Sequence, residues 1–138
     1  MTEAPGDAVS EFVEVMRRLR TECAWKAGQT HESLVEFLRE ETEELVEAID
    51  SGDVDHVREE LGDVLLQVVF HAVIAEQAGE FTLDDVARGI TEKMRRRNPH
   101  VFDPATSGGS SGDRPIDAVA IDELWERMKR AEKGTDDG

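Results

Sequence analysis

Between His31 and Asp63 the chain carries thirteen Asp or Glu residues and only two Arg. Most of these acids suit a solvated helix face, so the useful question is which of them do not. On a wheel turning about 100° per residue, Leu34, Phe37, Leu38, Leu45 and Ala48 fall within about 60° of one direction. Glu36, Glu43, Glu47 and Asp50 point the other way and read as surface charge. Glu41 stands in the middle of the apolar stripe, Glu44 on its border and Glu40 just beyond. An acid at a core position breaks the binary pattern, and such breaks are expected where a protein does chemistry.

The next helix supplies partners. Glu60 and Asp63 are three residues apart and share a face, as do Glu41 and Glu44. If the two helices fold back on each other at Gly52, residues equally far from the turn meet. Glu44 and Glu60 are each eight residues from Gly52, and Glu41 and Asp63 are each eleven. At about 1.5 Å per residue the four carboxylates then face one another about 12 to 17 Å from the turn. Two like charges ~5 Å apart repel by roughly 3 kcal/mol at an effective dielectric of about 20. Four together need protons or a cation, and an all-oxygen set favours a hard ion, Mg²⁺ or Mn²⁺, over zinc. No Glu-x-x-His pair accompanies them, which weighs against a di-iron bundle.

Positive charge gathers elsewhere, as Arg88, Lys93, Arg95, Arg96 and Arg97, with Lys93 and Arg97 on one face at i,i+4. Alone this is a solvated face. Beside an acidic cation site it also reads as a polyphosphate clamp. Trp125 and Lys129, again i,i+4, pair an aromatic plane with a cation, suited to a base and a phosphate. The histidines are weaker signals: His71 is expected in the core, bonded to backbone, and His56 is expected to be exposed. Cys23 is expected to be packed rather than reactive.

The elements that must position these groups are helical throughout, because the 3.6-residue period recurs and no long alternation appears. Helices are expected over about 11–21, 30–50, 54–78, 82–98 and 116–133. Gly28 should break the first. Ser33 with Glu36 and Thr82 with Asp85 are candidate capping boxes, and Gly52 and Asp53 a stop and a start. The expected organisation is a helical core over 1–103 and a flexible Gly/Ser-rich linker over 104–115. A C-terminal helix over 116–133 completes the site, and a disordered tail covers 134–138. From Val64 to Ala75 the central helix is apolar all round, so it must be covered all round. That predicts a bundle whose core hairpin packs in a homo-oligomer, a homodimer or homotetramer.

Composition sets the limits. The 138 residues hold 16 Lys or Arg against 32 Asp or Glu, a net charge of −16. Phosphate neutralisation needs a basic face, so no nucleic-acid partner is expected. The single cysteine excludes an intramolecular disulfide and a Cys-rich zinc site. The longest apolar run falls short of the ~20 residues that span a bilayer, so no membrane partner and a cytoplasmic setting are expected.

At this point the chain resembles a family, the MazG-type nucleoside triphosphate pyrophosphohydrolases. The resemblance covers about residues 15 to 103 and resumes at Trp125 to Lys129. It rests on Glu40-Glu41-Thr42-Glu43-Glu44, on Glu60 to Ala72 (ELGDVLLQVVFHA) and on Gln29-Thr30-His31. Arg96-Arg97-Asn98-Pro99-His100-Val101-Phe102 and Trp125-Glu126-x-x-Lys129 extend it. Each piece alone is weak; the ordered set is specific. It implies an all-α bundle that dimerises or assembles further, and Mg²⁺-dependent cleavage of nucleoside triphosphates to monophosphate and pyrophosphate. It places metal ligands at Glu41, Glu44, Glu60 and Asp63, and Glu40 at the remaining acid of the motif. Nucleotide contacts fall on Lys93, Arg97, Trp125 and Lys129, with Arg58 a further candidate. The chain departs from the family at Cys23-Ala24-Trp25-Lys26, where Cys-Pro-Trp-Asp is usual, and at Asn98, where a His is usual.

The mechanism this implies is in-line attack of a water oriented by Glu40 or Glu41, with Lys93 and Arg97 stabilising charge on the polyphosphate. The competing reading is a non-catalytic oligomeric helical module, regulatory in role, whose acids bind metal only for stability.

Overall fold

The structure, a computed structural model, describes residues 6–103 and 118–136. The linker expected over 104–115 lies outside the described residues, as do residues 137 and 138 of the expected tail. Every regular element among the described residues is helical: α1 (Asp7–Glu22), α2 (Ala24–Ala27), a 3₁₀ turn (Glu32–Leu34), α3 (Val35–Ser51), α4 (Val54–Gln77), α5 (Leu83–Arg97), α6 (Pro99–Phe102) and α7 (Ala118–Asp136). Two compact units result, Met1–Val86 and Ala87–Gly138, with the border inside α5.

The first unit is built on the α3–α4 hairpin. Gly52 closes α3 with φ +74°, a left-handed conformation that favours glycine, and its amide donates to the Ile49 carbonyl. Asp53 then caps α4 by accepting from the amides of Asp55 (3.0 Å) and His56 (3.3 Å). This short, capped turn makes equal distances from Gly52 meet. α1 packs on α4: Val13 and Met16 join Leu34, Val69, Phe70 and Val73 in the buried core, flanked by Phe12, Leu19, Leu66, Ile74 and Leu83. The Arg17 guanidinium forks onto Glu76 of α4 with two bonds of 2.8 Å, fixing the register of that packing.

Several expectations need correcting. α1 starts four residues earlier than the spacing suggests, and Cys23, in extended backbone, is where it ends. Gly28 instead closes the single turn of α2. Arg20 of α1 ties down the segment past the break, its guanidinium donating to the carbonyls of Lys26 and Gln29. Ser33 and Glu36 do not form the capping box. Thr30 and Ser33 cap each other, with the Thr30 amide on Ser33 Oγ (2.8 Å) and the Ser33 amide on Thr30 Oγ1 (3.1 Å). The Thr82–Asp85 box forms as the spacing implies, amide to side chain in both directions. Past α5, Asn98 leads into the unexpected short helix α6, with Pro99 at its first turn. α7 runs through 134–136 rather than ending at Lys133; Gly134 inside a helix costs only about 1 kcal/mol.

α4 buries Gln67, Val69, Phe70, Ala72, Val73 and Ala75 but leaves Leu61, Leu65 and Val68 exposed. On α3, Phe37 and Leu38 from the apolar stripe are likewise exposed, while Leu34 and Ala48 are buried. Phe37 meets the Trp25 ring edge to face, centroids 5.7 Å apart. Among the described residues of the first unit, α4 is thus covered on the side of Val69, Phe70 and Val73 and open at Leu61, Leu65 and Val68. Among the described residues no helix is long and apolar enough to cross a membrane.

Candidate active site

The hairpin brings four acids together. Glu41 and Glu44 from α3 and Glu60 and Asp63 from α4 each offer a carboxylate oxygen, all within 4.8 Å of one another. Their burial is graded: Glu60 is 8% exposed, Glu41 and Asp63 are half-buried, and Glu44 is exposed. Oε2 of Glu41 and Oε2 of Glu60 are buried without a hydrogen-bond partner. A buried carboxylate oxygen with nothing to bind is costly, and a group held this way asks for a cation or a proton.

The acid groups respond to that cost. Burial first, then the negative charges of Glu44 and Asp63, a hydrogen bond with Glu44 and the charge of Glu60 push the Glu41 carboxyl up to about 7. Glu60 is raised by burial and then by Glu44 and Asp63, with His56 opposing. His56 is half-buried rather than exposed, because its Nε2 lies 3.4 Å from Glu60 Oε1. The donor set is all oxygen, the chemistry of a hard divalent cation.

The remaining candidates divide. Glu40 is exposed on α3 and lies outside the group of four. Arg58 is exposed on α4 and pairs with Asp55 at 3.3 Å. In the second unit, Lys93 is half-buried on α5. Arg97 is turned onto Glu132 of α7, bonded by its Nε at 2.9 Å and by Nη2. Trp125 is half-buried, its Nε1 donating to Asn98 Oδ1 at 2.9 Å, and Asn98 in turn donates to the Met94 carbonyl at 2.7 Å. The residue that departs from the family pattern at 98 is thus the one that orients the indole. Lys129 is exposed, 3.8 Å from Glu126.

Sequence reasoning missed two arrangements. Glu132 is one, since nothing local links it to arginines 35 and 36 residues away. The other is His71, expected to bond backbone, whose Nδ1 sits 2.7 Å from Nδ1 of His31 with the rings stacked. Burial and His31 both lower its affinity for a proton.

Among the described residues the fold is all-helical, and its α3–α4 hairpin presents four converging carboxylates, two of them with unpartnered buried oxygens, a group that could hold a cation. Residues 29–102 match the family model of the MazG nucleotide pyrophosphohydrolase domain, and the chain belongs to that family. The nucleoside triphosphate pyrophosphohydrolase/pyrophosphatase MazG of Thermotoga maritima is 48% identical over 136 residues, covering 97% of this chain and 48% of that protein. The nucleoside triphosphate pyrophosphohydrolase of Escherichia coli K12 is 36% identical over 128 residues, covering 91% of this chain and 46% of its own length. A solved structure, the mazG-related protein from Thermotoga maritima, superposes with a TM-score of 0.69 at 25% identity, covering 88% of this chain and 98% of that one. The chain spans between 24% and 52% of the length of the curated relatives it matches.

Proposed function

We propose that this domain is a Mg²⁺-dependent nucleoside triphosphate pyrophosphohydrolase. It cleaves NTPs and dNTPs to the nucleoside monophosphate and pyrophosphate, as nucleotide-pool house-cleaning in the cytoplasm. The observation that carries the reading is the group of four carboxylates within 4.8 Å on a MazG-family hairpin. The names of the relatives from Thermotoga maritima and Escherichia coli support the same activity.

Glu41, Glu44, Glu60 and Asp63 would hold Mg²⁺, with Mn²⁺ as a substitute; the orphaned oxygens of Glu41 and Glu60 fit such an ion. When bound, the cation supplies Lewis-acid polarisation of phosphate oxygens and a lowered pKa for water. Glu41, or its neighbour Glu40, orients the attacking water and accepts its proton. Lys93 and Arg97 stabilise negative charge on the polyphosphate. Trp125 offers a plane for the base, Lys129 a phosphate contact, and Arg58 a further one. The exposed Leu61, Leu65 and Val68 of α4 support self-association as a homodimer or homotetramer.

The test is to incubate the full chain with Mg²⁺ and a panel of NTPs and dNTPs and to identify the products chromatographically. Monophosphate plus pyrophosphate is expected. Diphosphate plus phosphate overturns the reaction. A Mg²⁺-dependent rise in melting temperature with no turnover in Mg²⁺ or Mn²⁺ moves the reading to the non-catalytic module.

A further inference from the structure

Glu132 of α7 holds each of its oxygens against a different guanidinium from the end of α5. Oε1 accepts from Arg96 Nε at 2.9 Å and Nη2 at 2.6 Å; Oε2 accepts from Arg97 Nε at 2.9 Å and from its Nη2. The Arg97 side chain is 18% exposed and Glu132 27%, so this pairing is largely withdrawn from water, while Arg96 reaches the surface. Hydrogen bonds from Arg97 and then Arg96 hold the Glu132 carboxyl down at about 2, so it is an anion at any working pH. Each guanidinium brings its Nε–H and Nη2–H to a single oxygen, and two guanidiniums converging on one anion in this way can serve phosphate as well, because phosphate oxygens accept from the same donors.

We propose that Glu132 is an autoinhibitory carboxylate that occupies the guanidinium forks of Arg96 and Arg97 until a polyphosphate chain displaces it. The inference rests on the reading of Arg97 as a phosphate contact. The same Nε and Nη2 groups cannot serve Glu132 and a phosphate together, so binding requires an exchange. The forked state reduces the apparent affinity for phosphate by the fraction of molecules in which the arginines are free. A chain of several phosphates brings more charge and more acceptor oxygens to the two guanidiniums and Lys129 than a single phosphate does, so it competes better with Glu132. Lys129, three residues before Glu132 on the same helix face, adds a cation beside the exchange. This contact therefore favours polyphosphates over monophosphates, and the product of a phosphate cleavage is released as Glu132 returns.

The experiment is calorimetric titration of inorganic tripolyphosphate into the full chain in EDTA, with the wild type and Glu132→Gln compared. The variant keeps the side-chain shape but loses the charge and one acceptor. Displacement predicts binding at least about tenfold tighter in Glu132→Gln. Equal or weaker binding by a folded variant, or no binding by either protein, overturns the proposal; that is also the outcome if Glu132 only docks α7. If the variant does not fold, the ¹³C signal of the Glu132 carboxyl in the wild type decides. It should move toward that of a solvated carboxylate as tripolyphosphate is added, and a signal that stays fixed while ligand binds overturns the proposal. EDTA keeps the cation site out of the measurement, so failure here is distinct from failure to turn over NTPs in Mg²⁺.

Discussion

The two ends of the candidate machinery treat a carboxylate in opposite ways. On the α3–α4 hairpin, Glu41 stands among three other acids, and burial with like charge pushes it up to about 7. On α7, Glu132 stands between two arginines and is held down at about 2. The first site is an excess of one charge, gathered at a cost to the fold that a cation or a proton would relieve. In the second the carboxylate is already paired, with two guanidiniums on one anion, so a ligand must compete with it. On the proposed reading, unmatched negative charge is where a cation would bind, and the paired carboxylate is where an exchange would occur.

The sharpest way to break the contrast is to remove charge from the crowded side. Glu41→Gln should lower NTP turnover by about 10³-fold or more. In EDTA the same variant should melt at a higher temperature than wild type, because it relieves repulsion. A variant with turnover near wild type would dissolve the distinction between the two sites. Next in size is the cation itself: Mg²⁺ at 100 times its dissociation constant should stabilise the wild type by about 2.7 kcal/mol. Glu60→Gln should lose most of that shift when melting curves are compared with and without Mg²⁺.

The pH dependence sharpens the comparison, because the two carboxyls titrate with opposite sign. Glu41 binds its proton more tightly folded, at about 7, than at its ordinary 4.5. Folded protein thus holds more protons between those values, and melting temperature in EDTA should fall as pH rises from about 5 to about 8. Saturating Mg²⁺ should flatten that fall. Glu132 binds its proton less tightly folded, so its contribution is present above about 4.5 and is lost as pH falls toward 2. Smaller still is the exposed face of α4. Leu65→Glu should convert an oligomer to a monomer by light scattering, with core stability little changed because Leu65 is already 38% exposed. The smallest effect belongs to Arg58→Ala. Its exposed pair with Asp55 is worth at most about 1 kcal/mol, so melting should hardly move and KM should rise only a few-fold.

The hairpin and its acids were legible because the rules involved are local. Gly52 and Asp53 mark the turn, a helix rises uniformly, and counting outward pairs Glu44 with Glu60 and Glu41 with Asp63. What could not be read depends on contacts distant in sequence. The Ser33–Glu36 box has the right spacing, but Thr30 takes Ser33 first. Arg20 of α1 reaches two carbonyls past the break at Cys23, contacts that no local spacing announces. The stacking of His31 on His71, 40 residues apart, carries no periodic signal. By sequence Glu132 is one acid among many on a helix rich in charge, and its contacts with Arg96 and Arg97 set it apart.

The most direct test of the central claim is a crystal of the full chain soaked in Mn²⁺ and measured near the manganese absorption edge. An anomalous peak ringed by oxygens of Glu41, Glu44, Glu60 and Asp63 is the predicted result. Catalytically active crystals with no peak among those four residues, or with manganese bound elsewhere, would contradict it.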